Sequence, residues 1–354
     1  MRRNPDPARQ ARLLSLLVML LVLGGLVSCG GSDDGGGGGG GGAASGGDCD
    51  PLVEAASEEG GVTIYSSQGL DQLNDLADRF KAEYPDVPVE VVRGTDTDLT
   101  PRVEAEKQTG RGTADVFVSA SQGWLEDHAG QDWFVEPIGP NFEGGDYDAA
   151  TYLHEGGHFE VSAAILTFGW NTDQYPDGIE DYPDLLDPEL KGRIGVPEPG
   201  AQSFVDFYLY LEENYGEDFV EDLAAQEPRI YPSSLPMAEA LSSGELDAAT
   251  FVQVLVDEKE AGAPVESGLA DEAWGARFFG LILETAPNPC AAQLLADFLI
   301  TTDGQEAIAR KAASVLPDIE GAVTTVDQVR EQDLDVLTPE FVAEYQQKWN
   351  ELFR

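Results

Sequence analysis

Five consecutive residues, His154-Glu155-Gly156-Gly157-His158, match the pattern H-E-x-x-H. On a helix that spacing sets two imidazoles one turn apart to ligate zinc, with a glutamate between them to activate water. Both middle positions here are glycine, which costs a helix about 2 kcal/mol relative to alanine. The residues that follow, "FEVSAAILTF", are patterned as a strand rather than a helix. The one other histidine, His128, lies upstream in an unrelated stretch, so a third ligand would have to be a carboxylate. The motif is therefore expected to be a surface turn with two solvated imidazoles, and neither a metal nor a cofactor is assigned to the chain. A G-x-S-x-G nucleophile elbow is also missing from the sequence, and no enzymatic activity is expected.

A second set of residues is suited to gripping rather than to reacting. Ser66, Ser67 and Gln68 follow the apolar run Val62 to Tyr65, which reads as a strand. Leu70, Leu73, Leu76, Ala77, Phe80 and Tyr84 then recur at steps of mostly three and four, defining one face of a helix that Pro85 ends. Val87 to Val92 is the next strand, followed by Thr95, Asp96 and Thr97. Ala114 to Ser119 is a third strand, and Ser121 follows it. Strand, helix, strand, helix, strand with short loops predicts an α/β fold built on a parallel sheet. In such sheets ligands bind beyond the carboxyl ends of the strands, where helix N-termini offer unpaired N–H groups. Singly, each Ser, Thr or Asp here is a helix cap. Three such loops on one sheet edge point to a binding cleft.

The chain carries 20 Lys and Arg against 66 Asp and Glu, a net charge of −46. Arg2, Arg3, Arg9 and Arg12 precede the apolar run Leu13 to Val27, which as a helix would reach only about 22 Å, short of a hydrocarbon core of about 30 Å. The tetrapeptide Leu26-Val27-Ser28-Cys29 resembles a bacterial lipobox. Residues 1–28 are accordingly expected to be a lipoprotein signal peptide, Cys29 the lipidated mature N-terminus, and 29–48 a flexible Gly-rich tether. The protein is expected outside the cytoplasm, held at the membrane by its lipid and not spanning it. Without the four leader arginines and Asp6, 16 basic and 65 acidic residues remain, a mature charge of −49. Such a surface repels nucleic acid, which is excluded as a partner. Once Cys29 is lipidated, Cys49 and Cys290 are the pair left to form a disulfide.

A series of segments then occurs in a fixed order: "VTIYSSQG", "ADVFVSAS", "FGWNTD", "LKGRIGVPEPG", "EALSSGELDAATF", "EAGAPVE" and "APNPCAAQLLADFLITTDGQEAIARKAASVLPDI". Across residues 60 to 320 they resemble the extracellular solute-binding proteins of ABC importers, in the branch that contains the periplasmic ferric-ion binders. The resemblance implies a two-lobed periplasmic-binding-protein type 2 fold with hinge-crossing strands. Lobe 1 would comprise 49–165 and 268–354, and lobe 2 would comprise 166–267. It also implies a small-molecule solute held between the lobes and delivered to ABC permease subunits. Ferric-ion binders of that branch use a His after the first strand, a Glu after the third and tandem tyrosines in lobe 2. This chain has Gly69, Ala120 and the tyrosine-free run Thr250 to Val256 at those places. Ferric iron needs anionic oxygen ligands, so the expected ligand is a small polar organic molecule or oxyanion instead. Lobe 2 would contribute Gln202, Ser203, Ser233, Ser234 and Gln253, Asp96 would pair with a cationic group, and Tyr65, Tyr231 or Phe251 would flank the ligand. Ferric-ion transport, or a sensor or receptor lipoprotein that uses the same cleft, are the other readings.

Overall fold

The computed structural model describes residues 49–354; the expected signal peptide, the lipidated Cys29 and the tether lie outside the described residues. The first half is built on three short strands, β1 (Val62–Ser66), β2 (Val89–Arg93) and β3 (Val116–Ser119), with β1 central and parallel to both neighbours. Helix Leu70–Glu83 covers this sheet by burying Leu73, Leu76 and Phe80, the face predicted by their spacing. Two further strands complete the region before the second half, β4 (Phe134–Val135) and the 14-residue β5 (His158–Asn171). The second half holds β6 (Ile194–Pro197), β7 (Arg229–Tyr231), β8 (Ala248–Gln253) and β9 (Val265–Ser267). The chain returns through β10 (Trp274–Leu283), β11 (Ala312–Ser314) and β12 (Thr324–Thr325).

All twelve strands belong to one sheet whose main path runs β2-β1-β3-β10-β5-β8-β6-β7. Its two ends are parallel, and its middle, β3-β10-β5-β8, is antiparallel. β5 and β10 are the long central pair, and each feeds two different cores. Phe159, Val161, Ala163 and Ile165 of β5 pack with Ile64, Leu76 and Leu295. Phe168, near the end of β5, packs with Val196, Phe207 and Phe251 instead. Likewise Phe278 and Ile282 of β10 join the first core while Trp274 joins the second. A third group, Tyr65, Phe117, Leu281 and their neighbours, fills the opposite face of the first sheet region. Close approach at this crossing demands a residue without a side chain: a Cβ on Gly275 would lie 2.3 Å from the Ala164 carbonyl oxygen.

Cys49 and Cys290 are joined by a disulfide. Beside it, the Glu59 carboxylate accepts from the backbone N–H groups of Cys290 (3.1 Å) and Ala291 (2.8 Å), so it caps helix Pro289–Leu299 from another element. Two helices follow one another here, Pro289–Leu299 and Thr302–Ile308. Thr301 separates them, because its hydroxyl accepts from the Gly304 N–H and starts the second helix. One expectation needs correction. The C-terminal helix Pro339–Phe353 was assigned with 268–354 to the first half, yet Tyr345 and Trp349 pack into the second core beside Tyr208. Their aromatic rings find their burial there, which a boundary drawn on sequence order alone misses.

Candidate functional site

The parallel register of β1 with β2 and β3 brings the ends of all three strands side by side, Ser66 opposite Arg93 and opposite Val118. Asp96 joins the loops that follow. One carboxylate oxygen accepts from the Ser67 hydroxyl at 2.9 Å and the other from the Ser119 hydroxyl at 2.6 Å. Ser121 donates its backbone N–H to Ser119 Oγ at 3.1 Å. The Ser66 hydroxyl accepts the Gln68 N–H at 3.1 Å, and the Gln68 amide reaches across to donate to Ser162 Oγ on β5 at 2.9 Å. Ser66, Gln68 and Ser119 are buried. Thr95 and Thr97 are exposed and hydrogen-bond each other at the start of helix Asp96–Thr109. Asp96, expected to pair with a cationic group, ties the Ser67 and Ser119 loops together through its two oxygens and does not line the cavity described next.

A cavity of about 460 Å³ opens where these loops meet the second half. Of the expected residues it gathers Ser67, Gln68 and Gln253; Val254 lies beside Gln253, and Ser162 of β5 forms part of the wall. Gln202, Ser203, Ser233 and Ser234 do not line this cavity. Gln202 opens helix Gln202–Tyr215 and donates to the Leu337 carbonyl at 2.8 Å. Ser233 and Ser234 stand at the start of helix Ser234–Ser242. Tyr65 and Phe251 are core residues, Tyr65 with its hydroxyl donating to Glu106 at 2.9 Å. The residues that sequence reasoning missed are cations. Arg93, Arg310 and Lys311 line the cavity. Arg93 was within reach, because it closes β2 just ahead of the Thr95 loop. Arg310 and Lys311 reach the cleft only because β11 pairs with β5, Ala312 opposite Ala164.

The H-E-x-x-H segment is a turn, not a helix. Gly156 and Gly157 both adopt left-handed backbone angles, φ 92° and 85°, which glycine reaches without steric cost. His158 opens β5, and its carbonyl accepts from the His154 N–H at 2.9 Å. The two imidazoles, expected to be solvated, are only partly so: they stack on each other, 4.8 Å apart and 13° from parallel, and both pack against the ring of Phe279. Burial, reinforced by the neighbouring His154, depresses the His158 pKa to about 4. His154 Nε2 lies 3.3 Å from Glu160, whose carboxylate is held by Arg277 at 3.0–3.1 Å. Glu155 is exposed in the turn. This cluster is a packed strand start, and among the described residues no group of three or more His, Cys, Asp and Glu is arranged to hold a metal ion.

Comparison with known proteins adds a family and a fold. The description "Bacterial extracellular solute-binding protein" matches residues 62–311. Among solved structures, the substrate binding protein of an ABC transporter from Agrobacterium tumefaciens aligns with a TM-score of 0.66 at 18% identity, over 83% of this chain and 94% of that one. Iron-bound HitA from Pseudomonas aeruginosa aligns at 0.61 and 16%, over 82% and 99%. The periplasmic binding protein AfuA from Actinobacillus pleuropneumoniae, solved with fructose-6-phosphate bound, aligns at 0.58 and 22%, over 83% and 98%. At these identities the three share a fold with this chain; HitA was solved with iron and AfuA with fructose-6-phosphate.

Proposed function

The chain belongs to the bacterial extracellular solute-binding proteins, and from that premise we propose that it captures a small polar solute in the cavity between its two cores and hands it to an ABC permease. It is a binding protein of the transport apparatus and not an enzyme, and its place is outside the cytoplasm. No helix among the described residues is long and apolar enough to cross a membrane. The lipobox-like Leu26-Val27-Ser28-Cys29 supplies the mooring in this reading, with Cys29 acylated and the Gly-rich stretch as its tether.

One observation carries the proposal: Ser67 and Gln68, after β1, and Gln253, which ends β8, line one cavity, and β1 packs Val62 and Ile64 into the first core while β8 packs Ala248, Phe251 and Val252 into the second. Two lobes, with β5 and β10 as the crossing strands, give such a site its hinge. A solute bridging the gap is stabilised by contacts from both sides, and closure follows from its larger affinity for the closed form. Hydroxyl and amide groups read the orientation of a polar ligand without demanding one charge state.

Isothermal titration of the mature protein against a panel of sugars, sugar phosphates, carboxylates, amines and ferric citrate tests the reading. One-to-one saturable binding that Gln68→Ala and Gln253→Ala each weaken at least tenfold supports it. Binding insensitive to both substitutions overturns it. Tight binding of ferric ion alone overturns the organic-solute part, because the chain has Gly69, Ala120 and the tyrosine-free run Thr250 to Val256 where the resemblance would place anionic ligands. Delivery is tested by solute uptake into vesicles carrying the permease, with and without the protein.

A further inference from the structure

We infer that the solute carries an oxyanion, a carboxylate or a phosphate ester, and that Arg93 and Arg310 hold it. The inference rests on the cavity being the solute site and adds the chemical class of what binds there.

Cations are scarce in this chain. Of the 20 Lys and Arg residues, four lie in the first twelve positions, which leaves sixteen among the described residues. Carboxylates outnumber them so heavily that almost every cation finds one. Ion pairs within 4.0 Å engage Arg79, Arg102, Lys107, Lys191, Arg193, Arg229, Lys259, Arg277, Lys311, Arg330, Lys348 and Arg354. Only Lys81, Arg93, Arg111 and Arg310 stand outside that set among the described residues. Two of those four, both arginines, line the same cavity. A guanidinium left without a carboxylate in so acidic a molecule has been kept away from the available partners by position. Its planar fork of N–H donors matches carboxylate and phosphate oxygens in pairs.

The surrounding geometry fits an anion entering between them. Arg93 closes β2, and its Nε donates to the Gln68 carbonyl at 3.4 Å, which sets the side chain beside the loop that forms the cavity wall. Arg310 is anchored from the other side by its backbone carbonyl, which accepts from the Gln72 amide at 3.1 Å. Lys311, next in sequence, adopts φ 61°, a left-handed conformation that a lysine reaches only at a steric cost. Its ammonium is ion-paired with Asp257 on the facing wall, so the strained turn presents one cation to the opposite side and leaves Arg310 unpaired. The other carboxylates on the cavity, Asp71 and Glu258, sit in the first turns of helices Leu70–Glu83 and Val256–Glu260, where helix N–H groups offset their charge. Asp257 is neutralised by Lys311. The cavity lining therefore carries three cations against three carboxylates, formally neutral in a molecule of net charge −46, and its two unpaired guanidiniums are free to take an anion.

The test uses the mature protein with citrate, inorganic phosphate, fructose 6-phosphate, unphosphorylated fructose and putrescine as probes, read by calorimetry and by thermal shift. Citrate against the two phosphates separates carboxylate from phosphate recognition. At least one anion is expected to bind, with affinity reduced tenfold or more by Arg93→Ala and by Arg310→Ala, and reduced less by the lysine variants. Lys81→Ala and Arg111→Ala, which remove the other two unpaired cations, should leave affinity within twofold. Arg93 and Arg310 are exposed, so their variants should melt with the wild type, and that is measured alongside. If only fructose or putrescine binds, or if no anion binds at millimolar concentration, the inference is overturned. It is equally overturned if an anion binds with affinity indifferent to both arginines. When that anion still responds to Gln68→Ala and Gln253→Ala, the cavity reading survives; when it does not, that reading falls as well.

Discussion

Replacing Asp96 by alanine should lower stability by about 3 kcal/mol while affecting solute binding only indirectly. The carboxylate accepts two hydroxyls, from Ser67 at 2.9 Å and Ser119 at 2.6 Å, and a hydrogen bond to a charged group contributes about 1.5–3 kcal/mol. The two losses are unequal. Ser67 is half-buried and can turn to water, so its loss falls below that range. Ser119 is fully buried; it still accepts the Ser121 N–H, but its own proton loses its acceptor and keeps the desolvation cost. Unfolding roughly 300 residues carries an entropy of about 0.6 kcal/mol/K, so 3 kcal/mol lowers Tm by about 5 °C. Calorimetry of Asp96→Ala, Ser119→Ala and the double variant isolates the pair, and the cycle should return a coupling of about 1.5–2 kcal/mol. An Asp96→Ala protein that melts within 1 °C of wild type refutes the hub. In the same variant solute affinity should fall less than tenfold, because the carboxylate is occupied by the protein itself. A loss of more than a hundredfold would restore Asp96 as a direct partner of a cationic ligand.

Removing the disulfide with Cys49→Ala and Cys290→Ala frees a closure spanning 241 residues, worth about 5 kcal/mol in loop entropy, or about 8 °C in Tm; a shift below 2 °C would mean that the Glu59 cap and the packing of helices Leu52–Glu59 and Pro289–Leu299 hold this end unaided. His158 has its pKa lowered to about 4 by burial, so its contribution to stability is complete above pH 6.5 and lost as pH falls through 4. That amounts to about 2 kcal/mol once discounted for partial exposure. His158→Phe should therefore flatten the urea midpoint between pH 7 and 4, and an unchanged slope would sink the assignment. Gly275→Ala drives a Cβ to 2.3 Å from the Ala164 oxygen across the β5–β10 pair, costing about 3 kcal/mol, whereas Gly123→Ala, with nothing within 4 Å of its Cβ, should be neutral or stabilising in urea titration. At a net charge of −46, raising NaCl from about 0.02 to about 0.5 M should raise Tm by several degrees through screening of self-repulsion, and a flat response would show that the acidic residues are too well dispersed to strain the fold.

The first three strand ends were legible because each is a local pattern: an alternating or apolar run, a cluster of Ser, Thr or Asp, then helical spacing. Ser67, Gln68, Asp96 and Ser119 do meet, yet their pattern alone does not tell whether a hydroxyl faces a ligand or a neighbouring loop, and Asp96 absorbs two of them. Ser203, Ser233 and Ser234 carry the same local signature, and in the structure they stand at helix starts away from the cavity. The stacking of His154 on His158 was invisible for a related reason. Two glycines announce a turn, but only the arrival of Phe279 from β10 gives the imidazoles an apolar surface to cover.

Pairings between distant segments decided the rest. Arg310 and Lys311 read in sequence as the charged tail of a helix, and their approach to Ser162 and Ala164 depends on β11 docking against the middle of β5. The chain's acidity suggests, on net charge alone, a cleft that welcomes only cations. Field and site act at different ranges, however. Exposed charges beyond about 8 Å are screened at physiological salt, so most of the −46 is felt weakly inside a recessed cavity. Within that radius the lining itself dominates, and there Arg93 and Arg310 stand without an ion pair while the cations and carboxylates of the wall are equal in number. The bulk charge then governs what the surface repels, while a handful of cations kept from their acidic neighbours governs what the cleft admits.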